Sequence, residues 1–174
     1  MTQPERILFK DDGSIPNSRY AVLIYRGAVD LDERDPASSM EERFTANHWT
    51  NSWRNGIYPF HHYHSTSHEV LGLYQGSATV RLGGECGQDF FVEAGDVIVI
   101  PAGVGHKNLG ASQRFGVVGA YPNGRRWDLL RGQPGERPQA DQNIAVIPMP
   151  TEDPLYGSDG PLKKIWGEMF DEIG

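Results

Sequence analysis

The chain reads as an all-β barrel or sandwich, and three observations carry that expectation. From Ile57 to Tyr121 the sequence breaks into short apolar runs of strand length separated by glycine. Turn signals at Gly76, Gly83-Gly84, Gly95 and Gly103 recur roughly every 8–12 residues, the spacing of an all-β domain. The 21 glycines and 12 prolines supply the tight turns that such short strands need.

The expected strands are 58–64 (YPFHHYH), 69–75 (EVLGLYQ), 78–82 (ATVRL), 89–93 (DFFVE), 97–100 (VIVI) and 114–121 (RFGVVGAY). Ahead of them, the apolar run Tyr20–Tyr25 has the length of a buried strand. A helix is expected after it. Asp35 is placed to cap it, Pro36 suits its first turn, and Ser38 with Glu41 has capping-box spacing. Met40, Phe44 and His48 then form one stripe at helical spacing, with His48 a packing or surface residue.

Beyond Tyr121, Arg125–Arg131 (RRWDLLR) reads as a short helix closed by Gly132. Residues 132–161 contain six prolines and read as an extended arm over the barrel, with Ile144–Ile147 able to add a strand. Residues 162–171 form a terminal helix that presents Leu162, Ile165, Trp166 and Phe170 to the body. The expected layout is a single domain: a barrel core at about 56–121, an N-terminal strand-and-helix extension over 1–55, and a C-terminal arm and helices over 122–174. Length and the absence of a repeat exclude a second barrel.

A length of 174 residues is enough to bury a core without disulfides. The net charge of -7 and the scattered basic residues argue against nucleic-acid binding, which needs a concentrated basic face. No stretch approaches the roughly 18 apolar residues of a membrane helix, and the N-terminus lacks a hydrophobic signal core. With a single unpaired cysteine, Cys86, the expected location is the cytoplasm. The Pro-rich arm and four tryptophans suggest a homodimer.

Chemistry concentrates in HHYHSTSH, which holds four of the six histidines between positions 61 and 68. Residues two apart on a strand share a face, so His62 and His64 aim at one point while His61 faces outward. Ser65–His68 reads as a polar turn, after which the 69–75 strand returns antiparallel with Glu69 beside the pair. His106 follows a strand and a Pro-Ala-Gly-Val-Gly turn and supplies a more distant donor. Neutral imidazoles and an ionised carboxylate bind a cation at neutral pH with little cost of deprotonation. His68 competes with Glu69 for the fourth ligand position, or supports the ligands from outside. Strand parity adds Tyr58 and Phe60 to the face of His62 and His64, and Leu71 and Leu73 to that of Glu69. Asn108 and Tyr121 are placed to orient a bound molecule.

Gly56 to Gly76 reads G-x5-HxH-x4-E-x6-G, and Gly95 to His106 reads G-x5-PxG-x2-H, with 18 residues between them. These stretches resemble the two motifs of the cupin superfamily. The wider sequence, including GDVIVIPAGVGHKNLG and WDLLRGQPGERPQAD, is similar to the YjlB-like group of bacterial single-domain cupins. One departure stands at Gly110, where the family pattern often has asparagine; here Asn108 comes two residues after His106. The resemblance implies a double-stranded β-helix (jelly-roll) barrel with His62, His64, Glu69 and His106 in the metal-ligand positions. It also favours Glu69 over His68, through the spacing to Gly76. The implied cofactor is one divalent transition metal ion: iron, manganese, nickel or zinc. The expected function is a metal-dependent, oxygenase-like enzyme acting on a small polar metabolite. A metal-dependent sugar or keto-acid isomerase and a non-enzymatic small-molecule-binding module stay open, because fold does not dictate function.

Overall fold

The computed structural model describes residues 1–171. Among the described residues, nine strands and three helices run in the order β1 (Glu5–Ile7), β2 (Val22–Tyr25), α1 (Pro36–Ala46), β3 (Trp49–Asn55), β4 (Glu69–Gln75), β5 (Ser77–Leu82), β6 (Gln88–Glu93), β7 (Val97–Ile100), β8 (His106–Ala111), β9 (Gly116–Pro122), α2 (Gln139–Ala145) and α3 (Pro161–Asp171). They form a six-stranded sheet, β1-β2-β7-β4-β9-β3, facing a three-stranded sheet, β6-β5-β8. All pairings are antiparallel. This is a jelly-roll barrel.

Alternation along the central strands builds two cores. On β4 and β7, Leu71, Leu73, Ile98 and Ile100 face inward and meet Val80, Leu82 and Val92 of the small sheet. Val70, Val97 and Val99 point the other way, toward Met40 and Phe44 of α1 and Leu162, Ile165 and Trp166 of α3. Both faces of the large sheet are thus covered, which is why its middle strands read as continuous apolar runs. Gly72 is required by this layer: a Cβ there would fall 2.3 Å from Met40 Cγ and 2.7 Å from Phe44 Cζ.

Several expectations are corrected. The large sheet takes in β1, β2 and β3, so the barrel begins well before residue 56. Segment 58–64 is no strand beside β4, whose neighbours are β7 and β9. It makes only isolated bridges, His62 to His106 and Tyr63 to Leu130. Residues 125–131 are not helical, because Leu130 exchanges backbone hydrogen bonds of 2.9 and 3.0 Å with Tyr63. Ile144–Ile147 adds no strand; it straddles the end of α2, which interrupts the extended arm. At α1, Asp35 accepts from Ser38 N–H and Ser38 Oγ, while Glu41 pairs with Arg54 at 2.6 Å, so no capping box forms. His48 lies past that helix at positive φ and pairs with Glu152.

In α3, Leu162, Ile165 and Trp166 are buried as expected; the Phe170 side chain lies outside the described residues. Trp49 and Trp166 are fully buried, so two of the four tryptophans behind the dimer expectation belong to the core. No helix among the described residues is long and apolar enough to cross a membrane.

Candidate metal centre

Three elements bring the candidate ligand side chains together. Glu69 opens β4 with the inward parity of Leu71 and Leu73, so its carboxylate enters the barrel. His106 opens β8, and the bridge from His106 holds His62 in place through backbone hydrogen bonds of 2.9 and 3.2 Å. Two residues on, His64 accepts a backbone N–H from Gly103 through its carbonyl. Among the described residues, His64, Glu69 and His106 each offer one ligand atom, and these atoms lie within 4.8 Å of one another. His62 stands at the edge of this group, its ring 3.9 Å from that of His106 and 6.1 Å from that of His64.

The ring hydrogens show which atoms are free to bind. Nδ1 of His62 meets Phe60 O at 2.9 Å, Nδ1 of His106 meets Val104 O at 3.1 Å, and Nδ1 of His64 meets Asp128 O. A carbonyl oxygen only accepts, so each Nδ1 carries a hydrogen and donates it. Nε2 of each ring is left to face the site, bearing a lone pair when the ring is neutral and a second proton when it is charged. His64 Nε2 and His106 Nε2 each lie 3.3 Å from a Glu69 oxygen, one on either oxygen. A lone pair facing a carboxylate oxygen calls for a cation between them, either a proton or a metal ion. Two imidazole nitrogens and a buried carboxylate are a donor set that transition metals accept.

The electrostatics agree. Burial opposes the charge on Glu69, but His64 and the hydrogen bonds from His106 and His64 outweigh it and hold the acid well below its ordinary range. Burial also opposes charge on His64, and Glu69 overcomes this and raises its pKa. At His62, burial followed by His106 depresses the pKa to about 2, leaving a neutral ring.

These groups floor a cavity of about 470 Å³ whose walls are Trp53, Ile57, Tyr58, Leu71, Tyr121 and Trp127. Tyr121 donates to Glu69 Oε2 at 2.7 Å and accepts from Trp53 Nε1 at 2.7 Å. Trp127 stacks on Tyr121 and sets its edge against His64.

Of the other expected pocket residues, Tyr58 and Tyr121 line this cavity, and Phe60, Asn108 and His68 do not. Phe60 stacks on Tyr58 and lies under the Arg131 guanidinium. Asn108 turns its amide oxygen back to Gly110 N–H. His68 has the outward parity of Val70 and packs beside Trp166. His61 is only partly outward: its Nε2 pairs with Glu85 while its Nδ1 is buried.

Sequence reasoning missed Trp53, Trp127 and Asp128. Trp53 sits in a polar stretch without strand periodicity, and Trp127 and Asp128 sit in the segment misread as a helix. The Asp128 carboxylate accepts from Ser65 N–H at 2.6 Å and from Ser65 Oγ, which fixes the turn behind His64.

A cupin family model matches residues 44–125. The uncharacterized protein YjlB of Bacillus subtilis (strain 168) is 40% identical over 166 residues, covering 94% of this chain and 97% of that protein. Among solved structures, procruciferin, an 11S globulin of Brassica napus, matches 46% of the chain at 20% identity with a TM-score of 0.38. The chain spans only 21% of that globulin. A DUF861 family protein of Thermotoga maritima is 22% identical, with 57% of this chain and 96% of that one covered and a TM-score of 0.33. By its near full-length match to YjlB and its match to the family model, the chain belongs to the cupin family.

Proposed function

We propose that this cupin is a mononuclear metal-dependent enzyme of the oxygenase type, acting on a small, polar, metal-chelating metabolite. One observation carries the reading: His64, Glu69 and His106 converge, with Nδ1 hydrogens committed elsewhere, on the floor of a cavity large enough for a metabolite. His62 is the proposed fourth ligand, and iron, manganese, nickel and zinc all suit the set. Once bound, the ion supplies the Lewis-acid or redox chemistry that these side chains lack.

The chain's own residues do the rest. Tyr121 keeps its phenolic proton, since burial and then Glu69 push its pKa above the ordinary range, and it holds the carboxylate in one orientation. Leu71 and the aromatic walls exclude water from the floor and confine the body of the substrate. The Asp128 carbonyl fixes the ring of His64.

The test is elemental analysis of tag-free protein beside His62→Ala and His106→Ala variants, followed by oxygen uptake with chelating metabolites. About one metal per chain, lost in both variants, and substrate-dependent oxygen uptake are expected. Unchanged metal in both variants removes the site. Turnover without oxygen that tolerates zinc moves the reading to an isomerase.

A further inference from the structure

Two stacked pairs of aromatic rings flank the floor of the metal-centre cavity. On one side Tyr58 stacks on Phe60, with ring centroids 4.9 Å apart, and meets the His62 ring at 5.3 Å and nearly a right angle. On the other side Trp127 stacks on Tyr121 at 5.5 Å and meets the His64 ring at 5.1 Å. Both pairs are held from behind. The Arg131 guanidinium lies 3.7 Å from the centre of the Phe60 ring, and the Tyr121 hydroxyl is fixed between Glu69 and Trp53.

Tyr58 and Trp127 are not core residues: they line the cavity and are 45% and 37% exposed. An aromatic face left open to water beside a cavity gains when an apolar occupant covers it. Polar groups are scarce deeper in. Among the lining side chains that are not exposed, the polar atoms besides the candidate ligands are Tyr121 Oη and Trp53 Nε1, which bond to each other and to Glu69. Arg54 and Asn55 stand at the exposed rim. Arg54 commits Nε and Nη2 to Glu41, and Asn55 Oδ1 accepts the Gly56 N–H at 2.8 Å. A chain of hydroxyls filling this space would leave its groups short of partners, and a buried polar group without a partner is costly.

We infer, on the metal-dependent reading above, that the substrate is an aromatic compound bearing two adjacent oxygen donors, its flat ring held by the Tyr58 and Trp127 walls and its oxygens turned to the floor. The polarity of the metabolite is then confined to its chelating head. A cavity of about 470 Å³ has room for a substituted ring and falls within the usual range for small-molecule sites, about 300–1,000 Å³. A sugar or sugar acid, with hydroxyls along its whole body, fits these walls poorly.

Mandelate, lactate and gluconate share one α-hydroxy acid head and differ in body: a phenyl ring, a methyl group and a polyol. Each is titrated by calorimetry into tag-free protein loaded with zinc, after the metal content has been measured. Mandelate is expected to bind about 10-fold tighter than either of the others, as burial of a phenyl ring against other rings requires. Trp127→Ala shrinks that gap, and Trp127→Phe, which keeps a ring in place, restores it. Gluconate or lactate binding as tightly as mandelate to the zinc-loaded protein overturns the aromatic assignment and leaves the metal reading standing. A Trp127→Ala variant in which all three affinities fall together, with the gap unchanged, also overturns it, since the indole then supports the site without touching the ring. Protein that takes up no zinc or other metal removes the metal reading, and the aromatic assignment with it.

Discussion

The Tyr121 phenol donates a 2.7 Å hydrogen bond to Glu69 Oε2, so a residue of β9 orients the acid of β4. The two strands are neighbours in the large sheet, with Val70 opposite Ala120, and the bond runs between inward-facing side chains. Tyr121→Phe removes that bond and also the acceptor of the Trp53 Nε1–H, while keeping the ring. Metal affinity should fall about 10–100-fold, the usual loss when a partner of a metal ligand is removed. Competition against a chromophoric chelator reads it, and an unchanged affinity would show that the phenol does not orient Glu69.

Gly119 is where Trp53 reaches the site. A Cβ at Gly119 would fall 2.2 Å from Trp53 Cζ2, so Gly119→Ala displaces the indole and breaks its bond to Tyr121. Overpacking of this kind costs about 1–3 kcal/mol. A lower urea midpoint is expected, together with a change in tryptophan fluorescence as the indole leaves its seat. A variant with wild-type fluorescence and stability contradicts the contact.

Asp128 ties the 125–131 segment to the turn behind His64. Asp128→Ala leaves Ser65 N–H without its 2.6 Å carboxylate partner and also removes the bond from Ser65 Oγ. The expected loss is about 1.5–3 kcal/mol, the range for a hydrogen bond to a charged group, with weaker metal binding as His64 loosens. Urea unfolding and metal titration measure the two effects separately.

Arg137 joins Asp11 near the N-terminus to Asp141 of α2. Hydrogen bonding to the guanidinium holds both acids below their ordinary pKa. Because the folded pKa values are depressed, the resulting stability is present above the unfolded carboxylate pKa, about 3.9. It is lost as pH falls through the folded values. Arg137→Gln should therefore lower the urea midpoint at neutral pH and narrow its difference from wild type below about pH 4. A gap between the two proteins that stays constant with pH would refute this link.

Local pattern alone identified most of the barrel. The 69–75 and 97–100 strands have the bounds expected from EVLGLYQ and VIVI, because turn residues bracket each run. Hidden from pattern was β3, a polar stretch with Asn51 at positive φ and a register shift between Thr50 and Trp53. Its strand state comes from pairing with β9, a contact far away in sequence.

The histidine cluster, its companion acid and the distant His106 were legible because the family motifs preserve their spacing. Spacing could not decide which way each ring turns. His68 and Glu69 are adjacent, yet one packs against Trp166 and the other enters the barrel, since a strand sends neighbours to opposite faces and only the packed sheets say which face is inside. The 125–131 segment makes the same point: its helical pattern gave way to backbone bonds with Tyr63, which bring Trp127 and Asp128 to the site. Sequence determined most of the strands and the candidate donors, whose signals are local or held in motif spacing; tertiary structure decided β3, the ring tautomers, the cavity walls and the face of His68, which depend on contacts between residues far apart in the chain.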